Sequence, residues 1–436
     1  MKPNLVIIGN GMAGIRTLEV LLSAAPDRYQ ITVIGKEPFG SYNRILLSPV
    51  LAGESSFDEI LIHDRAWYEA QGIELLAGDE FEAMFIDRVR HQVVCRNGKR
   101  IGYDRLLIAT GSEPLLLPIP GADSQGVLGF RGIRDVERMQ QLAISGGHAV
   151  VIGAGLLGLE AAHGLNKLGM EVTVVHRARY PLNRQLDSEA ASLLLQALER
   201  RGIRFRLGVN SQQIHSLDGH VSALELDDGE YLPARLIVMA TGITPNIELA
   251  KNSGLACNRG IRVNDCLQTF DPKIYAVGEC VEHRGTTFGL VEPLFEQASV
   301  CANHLAAHGV ASYSYLKPAT RLKVSGINLF SMGVFDTHDP EVELIHYRDP
   351  AQGIYKKLLI RNNQLIGAVL YGDTGDGPWF HELMRDAVDL SPYRDGLIFG
   401  RPPVTTLSAT TDLSSDLSSD LSSDITTATH STGQTP

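Results

Sequence analysis

The chain has 436 residues, of which 44% are hydrophobic, and it carries a formal net charge of −11 at pH 7. This composition is typical of a globular protein, and the length suits two or three domains rather than one core. The negative charge argues against nucleic acid as a partner, and no apolar run approaches the ~18 residues that a membrane span needs. Because a predicted strand begins at Leu5, little room remains for a signal peptide, and we expect a cytoplasmic location.

The first glycine-rich segment, GNGMAG at residues 9–14, directly follows the apolar run at residues 5–8. A GxGxxG segment between a buried strand and a helix is typical of a turn that binds the pyrophosphate of a dinucleotide. The first glycine permits the tight turn, the second lets the phosphates approach the backbone, and the third lets the helix pack on the strand. The helix N-terminus then offers free N–H groups to the phosphates. The residues predicted to contact the cofactor here are Gly9, Gly11, Met12, Ala13 and Gly14.

Two polar residues beyond the second predicted strand, residues 30–34, are candidates for the same cofactor. Glu37 lies roughly 20 residues after the glycine segment, where a carboxylate binds the ribose hydroxyls of the adenosine. An ordinary exposed acid at a strand end is the alternative. Arg44 has the planar guanidinium suited to a pyrophosphate or to adenine, although a surface arginine fits the pattern too.

The second glycine-rich segment, GAGLLG at residues 153–158, follows the apolar run at residues 149–152. Its helix is predicted over residues 156–168 and ends before Gly169, a residue suited to a helix C-terminus. The next strand is predicted over residues 171–175. The same spacing therefore predicts a second dinucleotide, bound by Gly153, Gly155 and Gly158.

The second unit differs from the first at the end of its second strand, where no carboxylate occurs before Asp187. Arg177 and Arg179 stand there instead, and basic residues at this place can bind the 2′-phosphate of NADPH. A solvated basic loop explains them equally well, so NADH and NADPH both remain open, with a slight preference for NADPH. Glu160, two residues after the glycine segment, is the candidate catalytic residue beside the nicotinamide. Its alternative role is a favourable interaction with the helix dipole.

The chain repeats one architecture, since each unit closes with a buried strand that ends in Ala-Thr-Gly, at residues 109–111 and 240–242. Residues 274–279 form a further strand that ends in Gly278 and Glu279, and we expect this segment to return to the first unit. Glu279 is placed to accept a hydrogen bond from a ribityl hydroxyl, and a helix opened near Pro293 is expected to face the flavin ring. One such motif binds one dinucleotide, so the two motifs predict FAD and NAD(P)H in the same protein.

The C-terminal part changes pattern. Short antiparallel strands are predicted from residue 322 to residue 370, with a turn at Asn362 and Asn363 and a helix near residues 379–388. Beyond Arg401 the Thr, Ser, Asp and Leu composition predicts disorder, either as a solvated extension or as a tail that docks a partner. The fold class is therefore α/β, with two Rossmann-like dinucleotide-binding domains, one inserted in the other, a small C-terminal α+β domain and a disordered tail. The predicted domains are residues 1–113 with 243–314 for FAD, 114–242 for NAD(P)H, 315–400, and the tail at 401–436.

Two further groups of residues carry weaker expectations. Five cysteines occur without CxxC spacing, which argues against a redox dithiol, a zinc site or an iron–sulfur cluster, so no metal site is predicted and each cysteine is read as a small buried residue. A basic cluster in the C-terminal domain is a candidate docking patch for an acidic electron carrier, or more simply a solvated face. It comprises Lys356, Lys357 and Arg361.

Several phrases of the sequence resemble the flavoprotein reductases that have two dinucleotide-binding domains, and most of all the FAD- and NAD(P)H-binding portion of assimilatory nitrite reductases and related rubredoxin- or ferredoxin-reductase-like proteins. These phrases are SYNRILLS at 41–48, ATGSEP at 109–114, GLLGLEAA at 155–162, VVH at 174–176, RQLD at 184–187, YAVGE at 275–279 and GIYKKL at 353–358. The resemblance implies that FAD is contacted by Gly9, Gly11, Gly14, Glu37, Arg44, Thr110, Gly111, Gly278 and Glu279. It also implies that the nicotinamide nucleotide is bordered by Gly153, Gly155, Gly158 and Glu160.

The sequence departs from these relatives in three respects. Ferredoxin-reductase relatives usually carry a lysine after the Leu-Ser near the arginine, whereas this chain has Ser48 and Pro49, which puts a lysine–glutamate pair with Glu160 in doubt. Disulfide- and peroxide-reducing relatives carry a redox cysteine in this region, and residues 41–53 contain none. Full-length nitrite reductases continue into cysteine-rich iron–sulfur and sirohaem domains, whose cysteines are missing here, so we expect nitrite itself to be reduced elsewhere.

The resulting hypothesis is an FAD-dependent NAD(P)H oxidoreductase that passes electrons to a separate redox protein, first of all the nitrate or nitrite reductase machinery. A rubredoxin or ferredoxin is the next acceptor considered. An NAD(P)H oxidase that reduces oxygen and a flavin-based redox sensor remain alternatives. No nucleic acid and no membrane partner are expected.

Overall fold

The computed structural model describes residues 2–315, 320–324 and 326–402, with the backbone alone for 320–324. Residues up to Gly400 form one compact unit. The predicted disordered tail lies outside the described part of the chain from residue 403 onward.

The first stretch of the chain alternates strands and helices and then adds a small antiparallel meander. Its elements are β1 (Asn4–Ile8), α1 (Met12–Ala24), β2 (Gln30–Gly35), β3 (Ser41–Tyr42), α2 (Leu47–Leu51), β4 (Leu61–His63), α3 (Arg65–Ala70), β5 (Glu74–Ala77), β6 (Ala83–Asp87), β7 (Gln92–Cys95), β8 (Arg100–Gly102), β9 (Arg105–Ile108) and β10 (Ser112–Pro114). Strands β6, β7 and β8 pair antiparallel, and β3 pairs with β4.

The second stretch repeats this order. Its elements are β11 (Val127–Leu128), α4 (Ile133–Ala143), β12 (His148–Ile152), α5 (Leu156–Lys167), β13 (Glu171–His176), α6 (Ser188–Glu199), β14 (Arg204–Leu207), β15 (Ser211–Leu217), β16 (His220–Leu226), β17 (Tyr231–Pro233), β18 (Leu236–Met239) and β19 (Ile243–Pro245). Strands β15, β16 and β17 form the equivalent antiparallel meander.

The third stretch is short and contains α7 (Glu248–Asn252), β20 (Ile261–Val263), β21 (Ile274–Ala276), β22 (Val281–His283), β23 (Thr286–Thr287) and α8 (Val291–Leu305). Strand β21 pairs in parallel with β9, and α8 packs against α1. Residues 274–276 therefore belong to the sheet that begins the chain, although the whole second stretch separates them from it in sequence.

Two parallel five-stranded sheets result, with the orders β21-β9-β1-β2-β5 and β11-β18-β12-β13-β14. In each sheet the strand before the glycine-rich segment is central, between the strand that ends in Ala-Thr-Gly and the strand that follows the helix. The central strands are apolar and almost fully buried, as expected of a sheet that is covered on both faces. The chain leaves the first sheet through β10 and leaves the second through β19, and these two strands pair antiparallel.

The C-terminal part is one antiparallel sheet with a helix on one face. Its elements are β24 (Thr320–Val324), β25 (Ile327–Gly333), β26 (Glu343–Asp349), β27 (Ile354–Arg361), β28 (Gln364–Tyr371) and α9 (Gly377–Arg385), with the strand order β24-β25-β28-β27-β26. The predicted turn between the last two strands is present, and both of its asparagines have positive φ. The opposite face of this sheet, which includes Leu329, Tyr355 and Tyr371, packs into the core around α6.

The α/β fold class is confirmed, whereas the domain boundaries at residues 113, 242 and 314 stay a prediction because residues up to Gly400 form a single compact unit. None of the helices in the described part of the chain is long and apolar enough to cross a membrane.

The prediction of a basic cluster is wrong for its two lysines, whereas Arg361 is partly exposed and forms an ion pair with Asp339. Lys356 is 5% and Lys357 9% exposed, so neither forms a docking patch or a solvated face. They alternate along β27, and each is paired with acids: Lys356 with Asp373 and Asp376, and Lys357 with Asp187 and Asp336. A charge run on a strand that is covered on both faces is indistinguishable, in sequence, from one on a surface strand. The cysteine prediction is also wrong in part, since Cys257 and Cys266 are half-buried.

Candidate active site

The first glycine-rich segment forms a tight turn between β1 and α1. Gly9 has a φ of +110°, and a Cβ there would lie 2.1 Å from the carbonyl oxygen of Ala109. A Cβ on Gly14 would lie 2.6 Å from the carbonyl oxygen of Gly9. Both glycines are therefore required by the close approach of β9 and of the helix to the turn.

Gly11 differs from its neighbours, because a Cβ built on it would meet nothing within 4 Å. It caps α1, whose N-terminus has no side-chain cap and no acid in its first turn. The N–H groups of the first helical turn, which begins with Met12 and Ala13, have no partner within the helix. Open space in front of an uncapped helix N-terminus suits a phosphate group.

Gly278 and Glu279 lie beside this turn, as expected. A Cβ on Gly278 would lie 3.1 Å from the Cβ of Ala13. The Glu279 carboxylate accepts a hydrogen bond from Ser112 Oγ at 2.9 Å and forms an ion pair with Arg131. Thr110 donates its hydroxyl proton to the carbonyl oxygen of Asn246 at 2.8 Å, and the predicted Gly111 lies close to the Arg131–Glu279 pair.

Glu37 and Arg44 are brought together at the end of β2. The Arg44 guanidinium forms an ion pair with Glu37 and donates to the carbonyl oxygen of Arg131 at 3.1 Å. Tyr42 donates its phenol proton to Glu37 at 2.7 Å, and burial raises the pKa of Tyr42, so the phenol keeps that proton. Arg131 therefore joins the Glu37 end of the site to the Glu279 end.

The second glycine-rich segment repeats the geometry of the first. Gly153 has a φ of +114° and its Cβ would lie 2.3 Å from the carbonyl oxygen of Ala240, while a Cβ on Gly158 would lie 2.0 Å from that of Gly153. A Cβ on Gly155 would again meet nothing within 4 Å, and α5 also has no side-chain cap. The two segments thus form equivalent turns.

The strand register relates the ends of β2 and β13. The N–H of Gly9 donates to Ile34 and that of Gly153 to Val175, each at 2.8 Å. Ala178 follows Val175 at the same sequence offset as Glu37 follows Ile34, just beyond the strand ends at His176 and Gly35. Its neighbours Arg177 and Arg179 are exposed, and neither forms an ion pair with any residue in the described ranges.

His176 connects this strand end to the second glycine segment by a hydrogen bond. Its Nδ1 accepts a hydrogen bond from the N–H of Ala154 at 3.3 Å, and its Nε2 lies 3.2 Å from Oδ1 of Asn183. Burial lowers the pKa of His176, which favours the neutral ring that this arrangement needs.

Glu160 lies on the face of α5 that meets α2, a helix of the first stretch of the chain. Ser48 of α2 donates its hydroxyl proton to Glu160 at 2.6 Å. A Cβ on Gly164, one turn further along α5, would lie 2.8 Å from Cγ of Leu51, so the two helices are in close contact. Burial raises the pKa of Glu160, and the Ser48 hydrogen bond only partly offsets this. The doubtful lysine–glutamate pair is thus replaced by a serine–glutamate hydrogen bond.

Four further residues contact the glycine segments or the predicted residues and were not predicted from the sequence: Ser48, Ser112, Arg131 and His176. Arg131 could not be predicted from the sequence, because it lies between the two glycine segments. Only the fold brings it into contact with Glu279. Ser48 could have been predicted, because it stands next to the position where relatives have lysine.

The residues present fit a dinucleotide at each site on two observations. The middle glycine of each segment opens onto free space while the outer glycines are tightly packed, and each helix N-terminus has no capping side chain. An acid at the first strand end and arginines at the second suit different nucleotides.

The sequence of residues 3–304 matches the model of the family described as pyridine nucleotide-disulphide oxidoreductase. The chain belongs to that family. Residues 318–388 match the rubredoxin NAD+ reductase C-terminal domain. The predicted oxidoreductase class and the predicted cofactors, FAD and NAD(P)H, are confirmed as those of this family and its reductases.

Among similar proteins, the nitrite reductase [NAD(P)H] of Bacillus subtilis is 45% identical over 390 residues, which cover 89% of this chain and 48% of that protein. The assimilatory nitrate reductase electron transfer subunit of the same organism is 45% identical over 377 residues, which cover 86% of this chain and 48% of that protein. The chain therefore spans about half the length of these relatives. A crystal structure of a ferredoxin reductase from Rhodopseudomonas palustris matches with a TM-score of 0.79 at 27% identity, covering 91% of this chain and all of that one (100%).

Replacing Gly11 by alanine tests the first nucleotide site. The added methyl group would enter the open space at the helix N-terminus, so we expect Gly11→Ala to weaken FAD binding at least tenfold while the protein stays folded. Gly102→Ala is the matched control, because its Cβ also meets nothing within 4 Å and its φ is not positive. Flavin retained after dialysis, measured by visible absorbance, distinguishes the two; equal retention would contradict this role for Gly11.

The pH dependence of stability tests the environment of Glu160. Because its folded pKa is raised, the unfolded chain releases this proton first as the pH rises, and the folded state loses stability from about pH 4.5, the ordinary pKa, up to the folded pKa. We expect the melting temperature of the wild type to fall relative to Glu160→Gln across this window and then to run parallel to it. Ser48→Ala removes the hydrogen bond that lowers the pKa and should extend the window to higher pH. Parallel curves for wild type and Glu160→Gln at every pH would show that the carboxyl is not perturbed.

Proposed function

We propose that the protein is an FAD-dependent reductase that takes electrons from NAD(P)H and passes them to a separate redox protein. FAD is assigned to the first site and the nicotinamide nucleotide to the second. When bound, the two cofactors supply a hydride donor and an acceptor that releases electrons one at a time. The observation that carries the proposal is the pair of equivalent glycine-rich turns, together with the contact between α2 and α5.

The chain's own residues bind and orient the two cofactors. The residues proposed for FAD are Gly9, Gly11, Met12, Ala13, Gly14, Glu37, Arg44, Thr110, Gly111, Arg131, Gly278 and Glu279. Those proposed for the nicotinamide nucleotide are Gly153, Gly155, Gly158, Arg177 and Arg179. Glu160 lies at the contact between α2 and α5, where it is proposed to border the nicotinamide.

The nitrate and nitrite assimilation machinery is the proposed destination of the electrons. Support comes from two relatives at 45% identity, one named a nitrite reductase and the other an electron transfer subunit of assimilatory nitrate reductase. The match to a rubredoxin reductase C-terminal domain favours a rubredoxin or ferredoxin as the second candidate. A cytoplasmic location, and the domain boundaries given above, belong to the same proposal.

The matching offset of Ala178 and Glu37 from their strands supports NADPH as the preferred donor. A carboxylate at this place binds the 2′- and 3′-hydroxyls of a ribose and repels a 2′-phosphate. Ala178 removes that repulsion, and the exposed arginines on either side carry the charge that a phosphate requires.

Anaerobic reduction tests the function. The protein is purified, loaded with FAD and mixed with NADPH or NADH. We expect the flavin absorbance to disappear within seconds and an artificial one-electron acceptor to be reduced rapidly afterwards. Slow reduction with a long-lived charge-transfer band would favour the redox sensor. Fast oxygen consumption without an acceptor would favour the oxidase. Failure to bind FAD at all would end the proposal.

Ala178→Glu tests the nucleotide preference. The new carboxylate would repel a 2′-phosphate and bind ribose hydroxyls, so we expect kcat/KM for NADPH to fall about tenfold or more and that for NADH to rise. Steady-state rates with ferricyanide measure both. Glu189→Gln, which removes one negative charge on α6 beyond the loop together with its ion pair to Arg348, is the control. An unchanged ratio of the two nucleotides would show that the 2′ position is recognised elsewhere.

A further inference from the structure

The loop between β13 and α6, residues 177–187, connects the second nucleotide site to the C-terminal sheet. Its first residues include the two arginines proposed for the nucleotide. Its last residue, Asp187, caps α6 by accepting a hydrogen bond from the N–H of Ala190 at 3.0 Å. Asp187 is 4% exposed, so its carboxylate has little contact with water.

The C-terminal sheet supplies the remaining partners of this carboxylate. Tyr355 donates its phenol proton to Asp187 at 2.7 Å, and the Lys357 ammonium lies 3.0 Å from the same oxygen. The two residues share one face of β27, since they are two positions apart. Burial first, and then the Asp187 carboxylate, raise the pKa of Tyr355, so the phenol remains a donor. A buried carboxylate without such donors would be strongly destabilised.

The middle of the loop is attached to the second glycine segment. Leu182 is buried and donates its N–H to the carbonyl oxygen of Ala154 at 3.0 Å. Asn183 lies within hydrogen-bond distance of His176, which in turn accepts from the N–H of Ala154. Both backbone groups of Ala154, the residue between Gly153 and Gly155, are thus occupied by this loop and its strand.

We propose that Tyr355 and Lys357 are positioning residues for the nicotinamide nucleotide, which act through Asp187 and the loop at residues 177–187. The C-terminal sheet thereby fixes the loop at its Asp187 end. The arginines and the glycine segment are then already in position when the nucleotide binds. This inference rests on the proposed function, and it gives the C-terminal domain a role in binding the donor. A flexible loop would have to be ordered on binding, which weakens affinity without altering the step that follows.

Two tyrosine-to-phenylalanine variants of the full-length, FAD-loaded protein provide the test. Tyr355→Phe removes the hydrogen bond to Asp187. Tyr371→Phe is the matched control, because Tyr371 lies on the same sheet and donates to the carbonyl oxygen of Leu193 in α6 at 3.3 Å, away from the loop. We expect Tyr355→Phe to raise KM for NADPH about tenfold with kcat nearly unchanged, and Tyr371→Phe to change KM less than about twofold. Melting temperatures of both variants account for any general loss of stability.

Equal KM values for the two variants would overturn the positioning role and leave a structural one. If Tyr355→Phe does not fold, hydrogen exchange on the wild type decides instead: saturation with NADP+ should slow amide exchange in the peptide around residues 354–358, and unchanged exchange there would overturn the proposal. Failure of the proposed function would give a different result, because neither NADPH nor NADH would then reduce the flavin of the wild type.

Discussion

The contact between α2 and α5 is the interaction on which the rest of the molecule depends. Electrons can pass between two bound nucleotides only when the two sites are held at a fixed distance. Helix α2 comes from the first unit and helix α5 from the second. Gly164 lets α2 approach closely enough for Leu51 to pack on α5, and Ser48 bonds Glu160 in the same contact. The apolar residues of α2 belong to the same core as those of α5. Any shift of one helix along the other would move the first glycine-rich turn relative to the second.

Buried charges divide into two kinds in this protein. Around the first site, Glu37 with Arg44 and Glu279 with Arg131 pair across elements that only the fold brings together. The Arg44, Glu37 and Arg131 side chains keep about a quarter of their surface exposed, and all four groups are among the residues proposed to bind FAD. Asp187 is different, because its donors hold a structural junction between the second unit and the C-terminal sheet. Carboxylates paired with cations thus occur in both places, and we propose a binding role for the first set and a positioning role for the donors of Asp187.

Local sequence was sufficient for the elements that repeat. The glycine spacing predicted both turns because each glycine meets a steric requirement within a few residues, and the turn at Asn362 and Asn363 was predicted together with the strands on either side of it. Tertiary pairings were out of reach: nothing near Arg131 in sequence indicates Glu279, and the exposure of Lys356 and Lys357 depends on what covers both faces of β27. The matching offsets of Glu37 from β2 and of Ala178 from β13 likewise needed the hydrogen bonds that align the two strands.

A crystal structure of the FAD-loaded protein with NADP+ would show where both nucleotides bind. We expect the pyrophosphates to lie at Gly11 and Gly155 and the nicotinamide ring to stack on the flavin, with the reacting carbon about 3.5 Å from the flavin nitrogen. A structure in which the second glycine segment holds no nucleotide, or in which the two rings lie apart with the helix contact intact, would contradict this expectation.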